Sequence, residues 1–310
     1  MSQLMTKTVP DVNRQAAGSA DARPLTVRQV GPTFGAEVEG MPIHGDVSPE
    51  RLVEFVSLLH RYRVLIVPEI QLKPEALVAF SRRLGPLEIH SRVENTLPSY
   101  PEIFCVGNIE RDGMKASFSR GVEQWHADSS FRATPSDASL FYGEIVPPEG
   151  ADTMFADATA AWRMLDKDLQ RRVDGLHAVH SLETLGQWNR QQNPDRPTNA
   201  DNLPTQFPPV RQPLVRVHPV TGAKSLYVCP AVISHIEGLE PEASEALIQT
   251  LIKHTTTDRF VYTHRWRQGD LVIWDNRAVL HTASLFDHTR YQRLMYRTTV
   301  AGGALALSDG

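Results

Sequence analysis

Apolar positions recur at helical spacing in a few stretches of the chain and at strand spacing in many more. Leu25 to Val38 runs in short, glycine-punctuated alternations that predict strands. Ser48-Pro49-Glu50-Arg51 then opens a helix. Ser48 is suited to the N-cap and Pro49 to the first turn, and Leu52, Phe55, Val56 and Leu59 fall on one face. Tyr62 to Val67 is predicted as a buried strand stopped by Pro68. Lys73-Pro74-Glu75 starts a second helix carrying Leu77, Val78, Phe80, Ser81 and Leu84, closed by Gly85-Pro86. Further strands are expected at Ile103–Val106, Ser139–Val146, Pro213–His218, Ser225–Val228, Arg259–His264, Asp270–Asp275 and Leu294–Val300. Helices are expected from Asp157 to Arg172, with Trp162, Leu165 and Leu169 on one face, and near Pro241 to Lys253.

Two stretches lack periodicity. Glu110 to Glu123 is polar and contains glycine, and leads straight into a histidine, which makes it a candidate lid over a site. Thr184 to Pro209 is rich in Asn, Gln and Pro and reads as a long solvated or lid-like insertion. Many short strands with turn residues between them predict a mainly β chain with flanking helices (α+β), closed or in a double sheet such as a jelly roll. The expected layout is a disordered lead-in over 1–24, one domain over 25–302 and a C-terminal tail over 303–310.

Composition adds bounds. At 310 residues, 41% apolar and 22% charged, the chain can bury a sizeable core. A net charge of −4 gives no electrostatic case for nucleic acid or membrane partners. No run reaches the ~18–20 apolar residues of a membrane span. Residues 1–24 hold no apolar signal-like stretch, so a cytoplasmic protein is expected. Cys105 and Cys229 sit in apolar runs far apart and read as buried thiols in a reducing compartment.

Candidate chemistry centres on Trp125-His126-Ala127-Asp128-Ser129-Ser130-Phe131. In a strand, residues two apart leave the same face, so His126 and Asp128 can converge on one metal ion. His281, after the apolar run that ends in Trp274-Asp275-Asn276-Arg277-Ala278-Val279-Leu280, is the candidate third ligand. Two imidazoles and one carboxylate on one face of a metal leave the other face open, the arrangement of non-heme Fe(II) oxygenases. Arg293 and Arg297, four apart on the last strand, share a face, and a planar guanidinium suits capture of a carboxylate. Each residue alone has a plainer reading, as a surface polar pair, a satisfied core histidine or a surface ion pair. A zinc-dependent hydrolase or cupin-type isomerase is the competing use of the same His-Asp-His set, and a non-catalytic anion sensor is a weaker one.

Taken together, His126-x-Asp128, Gly150-Ala151-Asp152-Thr153, Trp274 through His281, Arg293 and Arg297 resemble the Fe(II)/2-oxoglutarate-dependent dioxygenases of the taurine dioxygenase group. Pro213-Leu214-Val215-Arg216, Ile236-Glu237-Gly238-Leu239, Phe260-Val261-Tyr262 and His264-Arg265-Trp266 are similar to its 2,4-dichlorophenoxyacetate dioxygenase branch. The resemblance spans Leu25 to Gly302. It implies a double-stranded β-helix, with His126, Asp128 and His281 as Fe(II) ligands. Thr153 and Arg293 would hold the distal carboxylate of 2-oxoglutarate, and O2 would be the second co-substrate. Arg297 would meet the anionic group of a small organic substrate of aryloxyalkanoate, sulfonate or alkyl sulfate type, with His90 as a further substrate contact. Group members are often dimers or tetramers, which makes a homo-oligomer one reading, but nothing in the sequence identifies an interface and the oligomeric state is left open. Trp188 and Phe207 are candidate pocket-lining residues. His218 and His235 lie in stretches similar to the dichlorophenoxyacetate branch, and a plain sheet-edge role is at least as good a reading for them.

Overall fold

A computed structural model describes residues 23–118, 124–192, 206–303 and 305. Nearly all of the expected lead-in, most of the expected C-terminal tail and part of both aperiodic stretches lie outside the described residues. In chain order, β1 (Thr26–Gln29) and β2 (Ala36–Glu39) form a hairpin, α1 (Pro49–Tyr62) leads into β3 (Val64–Val67), and α2 (Pro74–Leu84) follows. Next come β4 (Thr96–Leu97), β5 (Tyr100–Gly107), β6 (Glu110–Arg111), β7 (Met114–Lys115), β8 (Ala138–Ile145) and β9 (Thr153–Asp157). Then α3 (Ala158–Met164) and α4 (Lys167–Val173) precede β10 (His177–His180) and α5 (Leu182–Gln192). The chain continues through β11 (Val210–Pro213), β12 (Val215–Val217), β13 (Lys224–Leu226) and β14 (Ile233–Ile236). It ends with α6 (Pro241–Thr255), β15 (Val261–His264), β16 (Leu271–Asp275), β17 (Val279–Ala283) and β18 (Leu294–Val300).

The main sheet has eight strands in the order β1-β2-β3-β16-β8-β18-β5-β4. Its central strands are apolar on both sides because both sides are covered. Leu65, Val67, Leu140 and Ile273 pack with Phe55 and Leu59 of α1 and Leu77 and Phe80 of α2. The alternate residues Val64, Ile66, Phe141, Val272 and Trp274 pack with Phe155 and Val279 of a second sheet, ordered β15-β9-β17. This period-2 split turns one run of buried residues into two cores, and each fully buried large side chain contributes about 1.5–3 kcal/mol. A third cluster joins the far face of the β15-β9-β17 sheet, through Ala156 and Leu280, to α3, α6 and β12–β14.

Local chemistry explains most boundaries. Ser48 Oγ accepts from the Arg51 amide at 3.2 Å, and Pro49 opens α1. The helix runs through Tyr62, where a strand start was predicted. Arg63 then takes a left-handed φ of 64°, and its amide donates to the Leu59 carbonyl. The helix predicted over 157–172 is two helices. Asp157 Oδ1 accepts from the Ala160 amide and caps α3, whereas Asp166 Oδ1 accepts from the Asp168 and Leu169 amides and starts α4 afresh. The stretch from Glu110 is a β6–β7 hairpin over its first residues, and α5 occupies the start of the expected insertion. Cys105 and Cys229 are both buried free thiols. Leu305, within the expected tail, is fully buried, and its amide donates to Asp137 Oδ2 at 2.9 Å. Among the described residues, no helix is long and apolar enough to cross a membrane.

Candidate active site

His126 and His281 exchange both backbone hydrogen bonds, at 3.0 and 2.8 Å, forming a lone antiparallel bridge onto β17. The predicted strand for His126-x-Asp128 is therefore not formed. After His126 the chain turns, with Ser129 at φ 55° and the Arg132 amide donating to the Ser129 carbonyl at 2.9 Å. Asp128 lies between the bridge and that turn, its amide donating to Asn276 Oδ1 at 3.2 Å and its carbonyl accepting from Ser136 Oγ at 3.0 Å. One ligand-type atom from each of His126, Asp128 and His281 lies within 4.8 Å of the others, and His281 Nε2 is 3.8 Å from Asp128 Oδ2.

The protonation states suit a cation. His126 Nδ1 faces the Gln124 carbonyl at 2.8 Å, so that nitrogen carries a proton and Nε2 is the one free to turn toward a metal. Burial pushes the His281 imidazole down to about 3, aided by the adjacent His126, and its Nδ1 has no hydrogen-bond partner among the described residues. Burial works against ionisation of Asp128. Arg297, the two histidines and the Ser139 hydroxyl outweigh it and hold the carboxyl well below the usual range. Two imidazoles and one carboxylate make a donor set that fits a divalent transition metal.

A second group, His60, His218 and Asp275, also brings three such atoms within 4.8 Å of one another. It has no lone pair to offer. His218 Nδ1 accepts from the Val220 and Thr221 amides, so its Nε2–H donates to Asp275 Oδ2 at 2.9 Å. Arg277 takes Asp275 Oδ1 through Nε and Oδ2 through Nη2, and the same Nη2 lies 3.2 Å from His60 Nε2. The group is a closed buried network around a guanidinium.

The remaining predicted residues surround the first set. Thr153 opens β9, and its Oγ1 accepts from Trp266 Nε1 at 3.0 Å. The indole can only donate, so the threonine proton is left to point elsewhere. Arg293 immediately precedes β18; its amide donates to Asn108 Oδ1 at 2.8 Å and its guanidinium lies 5.7 Å from the Phe141 ring centroid. Arg297, on β18, donates through Nη1 to Asp128 Oδ1 at 2.8 Å and lies over Phe104 at 5.2 Å. His90 stacks on that same ring, with centroids 3.8 Å apart, and burial together with Arg297 keeps its imidazole neutral. His90, His126, Asp128, Thr153, His281, Arg293 and Arg297 all line one cavity of about 390 Å³.

Trp188 lines this cavity too, whereas Phe207 stands behind it, edge-on to Phe131 at 5.6 Å. His218 belongs to the buried network and His235 is exposed on β14, so neither reaches the cavity. Ser139, Asn276, Trp266 and Glu88 were given no role from sequence. Ser139 donates to Asp128 Oδ2 at 2.7 Å, and Glu88 accepts from Ser129 Oγ at 2.6 Å. The available signal was weak: a serine inside the apolar run Ala138 to Tyr142, and an asparagine between two charged residues.

The profile of the taurine catabolism dioxygenase TauD, TfdA family matches residues 26–299. An alpha-ketoglutarate-dependent 2,4-dichlorophenoxyacetate dioxygenase of Cupriavidus pinatubonensis is 35% identical, over 87% of this chain and 95% of that protein. An (S)-phenoxypropionate/alpha-ketoglutarate-dioxygenase of Sphingobium herbicidovorans is 36% identical, over 87% and 92%. Among solved structures, AAD-2 in complex with Mn(II) and N-oxalylglycine superposes with a TM-score of 0.75 at 31% identity, over 90% of this chain and 98% of that one. The zinc hydrolase and cupin-type isomerase readings find no support in these relatives. On its sequence and on its fold alike, the chain belongs to the TauD/TfdA family of dioxygenases.

Proposed function

We propose that the chain is an Fe(II)- and 2-oxoglutarate-dependent dioxygenase that hydroxylates a small organic anion. The observation that carries this reading is the gathering of the His-Asp-His set, Thr153 and two arginines around one cavity. In this reading, residues 25–302 form a single catalytic domain, and the β15-β9-β17 sheet packed on the main sheet is the core of a double-stranded β-helix.

His126, Asp128 and His281 would hold the metal. Fe(II), 2-oxoglutarate and O2 together supply the oxidation: substrate C–H becomes C–OH while 2-oxoglutarate becomes succinate and CO2. The chain's own residues bind and orient. Arg293 offers a fixed planar charge to the distal carboxylate of 2-oxoglutarate, and Thr153, held by Trp266, donates its hydroxyl proton to the same group. Arg297 meets the substrate anion, with His90 and Phe104 beside it as neutral, flat walls. Phe118, Phe131, Trp188 and Phe286 add aromatic walls to the lining, which suits an aromatic ring. Where the hydroxylated carbon bears an ether oxygen or a sulfur, the product collapses with C–O or C–S cleavage. Aryloxyalkanoates are therefore the first class to test, ahead of sulfonates and alkyl sulfates.

The test is succinate formation from 2-oxoglutarate with Fe(II) in air, across panels of the three anion classes. The expected result is succinate and hydroxylated or cleaved product in equal amounts, highest with an aryloxyalkanoate. Absence of succinate with every panel, from a folded and metal-loaded protein, contradicts the proposal.

A further inference from the structure

Of the four hydrogen bonds of the Asn276 side chain, three end on Asp128 or on a serine that holds it, and the fourth comes from Trp274. Asn276 is buried between Asp275 and Arg277, whose mutual ion pair fixes the flanking backbone, and its amide N–H donates to the Asp137 carbonyl at 2.9 Å. Its Oδ1 accepts from Trp274 Nε1 at 2.9 Å and from the Asp128 amide at 3.2 Å. Its Nδ2 donates to Ser136 Oγ at 3.1 Å and to Ser139 Oγ at 3.0 Å. Ser136 in turn donates to the Asp128 carbonyl at 3.0 Å, and Ser139 donates to Asp128 Oδ2 at 2.7 Å.

Chemistry fixes the direction of each bond. An indole N–H and a peptide N–H only donate, so the Asn276 oxygen must face them, which leaves the NH2 facing the two serines. Each serine then accepts one hydrogen bond from the amide and has one proton to give, and in each case an Asp128 oxygen receives it. Ser136 and Ser139 are fully buried, so no solvent competes for those protons.

We propose that Asn276 is a positioning residue for the metal site. It forces the Ser139 proton onto one oxygen of Asp128, fixing the plane of the carboxylate and drawing charge from that oxygen, and it holds the Asp128 backbone from both sides. The inference rests on the reading of Asp128 as a metal ligand given above. Replacing Asn276 by aspartate keeps the oxygen that Trp274 and Asp128 use but turns both donors into acceptors. The Ser139 proton is then drawn to two carboxylates at once, and Oδ2 of Asp128 no longer has that donor to itself. Ser139→Ala removes the same donor without adding charge, and Ser136→Ala releases only the Asp128 carbonyl.

The experiment is titration of Co(II) into metal-free protein, read as a dissociation constant by calorimetry and as the visible d–d spectrum of the bound ion, for wild type and the variants Asp128→Ala, Asn276→Asp, Ser139→Ala and Ser136→Ala. Second-sphere partners of ligating groups typically change metal affinity about 10- to 100-fold. Asn276→Asp and Ser139→Ala are therefore expected to weaken Co(II) binding by about tenfold or more and to shift the d–d bands, with Ser136→Ala moving both less. Ser139→Ala is the smallest change and keeps the test decisive where Asn276→Asp folds poorly. If Asp128→Ala loses Co(II) but Asn276→Asp and Ser139→Ala bind within about twofold of wild type with unshifted bands, the positioning role is wrong while the ligand reading stands. If Asp128→Ala itself binds like wild type, the ligand reading falls and this inference with it.

Discussion

Arg293 and Arg297 stand four positions apart, yet their surroundings differ, and the proposed function gives them different tasks. Arg293 is almost fully buried beside Phe141, and Arg297 is partly exposed between Asp128 and the His90–Phe104 stack. A charge-assisted hydrogen bond is worth about 1.5–3 kcal/mol, so Arg297→Ala is expected to raise KM for the organic anion by about 10- to 100-fold. The same substitution leaves KM for 2-oxoglutarate within about threefold, and Arg293→Ala gives the reverse pattern. Steady-state kinetics with each substrate varied in turn checks this, and equal changes in both constants contradict the division of labour. That these two residues and His126, Asp128 and His281 come together was legible in the sequence because their side-chain chemistry is specific and two of the pairs, His126 with Asp128 and Arg293 with Arg297, are closely spaced. Ser139 and Asn276 were not. A buried hydroxyl or amide declares its role only through partners, and theirs arrive from positions such as Asp128 that lie far off along the chain.

Elements carry the site into position, and the contact of β5 with β18 shows how tightly. Gly107 pairs with Leu294, and a Cβ on Gly107, at φ 149°, would sit 1.9 Å from the Arg293 carbonyl oxygen. Gly107→Ala must therefore shift the backbone at Arg293 or strain its own. The expected cost is about 1–3 kcal/mol in urea unfolding, together with a raised KM for 2-oxoglutarate. An unchanged unfolding midpoint and KM contradict that account. A strand was expected at His126-x-Asp128 because both residues then share a face. The chain reaches the same convergence with a single bridge to β17 and a turn at Ser129, a long-range pairing that local alternation cannot reveal. The break at Leu165-Asp166 was legible in principle, since aspartate is a strong N-cap. Helix α5 was masked by its Asn- and Gln-rich composition, although Leu185 and Trp188 face the cavity from it.

For the whole molecule, the closed network of His60, His218, Asp275 and Arg277 ties α1 and the segment after β12 to the end of β16. Burial pushes His60 down to about 4, partly opposed by Asp275, and burial pushes His180 to about 4 as well. Groups whose folded pKa lies below the unfolded value keep their full stabilising contribution only above the unfolded value. As the pH falls from about 6.5, the unfolded chain takes up protons that the folded chain refuses, and stability drops toward pH 4. Asp275 acts with the same sign at lower pH. Burial alone would raise its pKa, but the hydrogen bonds from Arg277 and His218 hold the carboxyl well below the usual range, so its contribution is lost below about pH 4. Urea midpoints of the metal-free protein are thus expected to be lower at pH 5 than at pH 7.5, and a midpoint that rises on acidification contradicts this. The broad architecture was readable because strand periodicity and caps are local signals. The cavity was not, because it forms where two sheets and several loops meet. The central claim is that His126, Asp128 and His281 hold Fe(II) with room left for 2-oxoglutarate. The most direct measurement is an anaerobic titration of 2-oxoglutarate into Fe(II)-loaded protein, followed by visible absorption. A weak charge-transfer band that grows with 2-oxoglutarate and is absent from Asp128→Ala is the predicted result. No band in wild type, or an identical band in Asp128→Ala, contradicts the assignment.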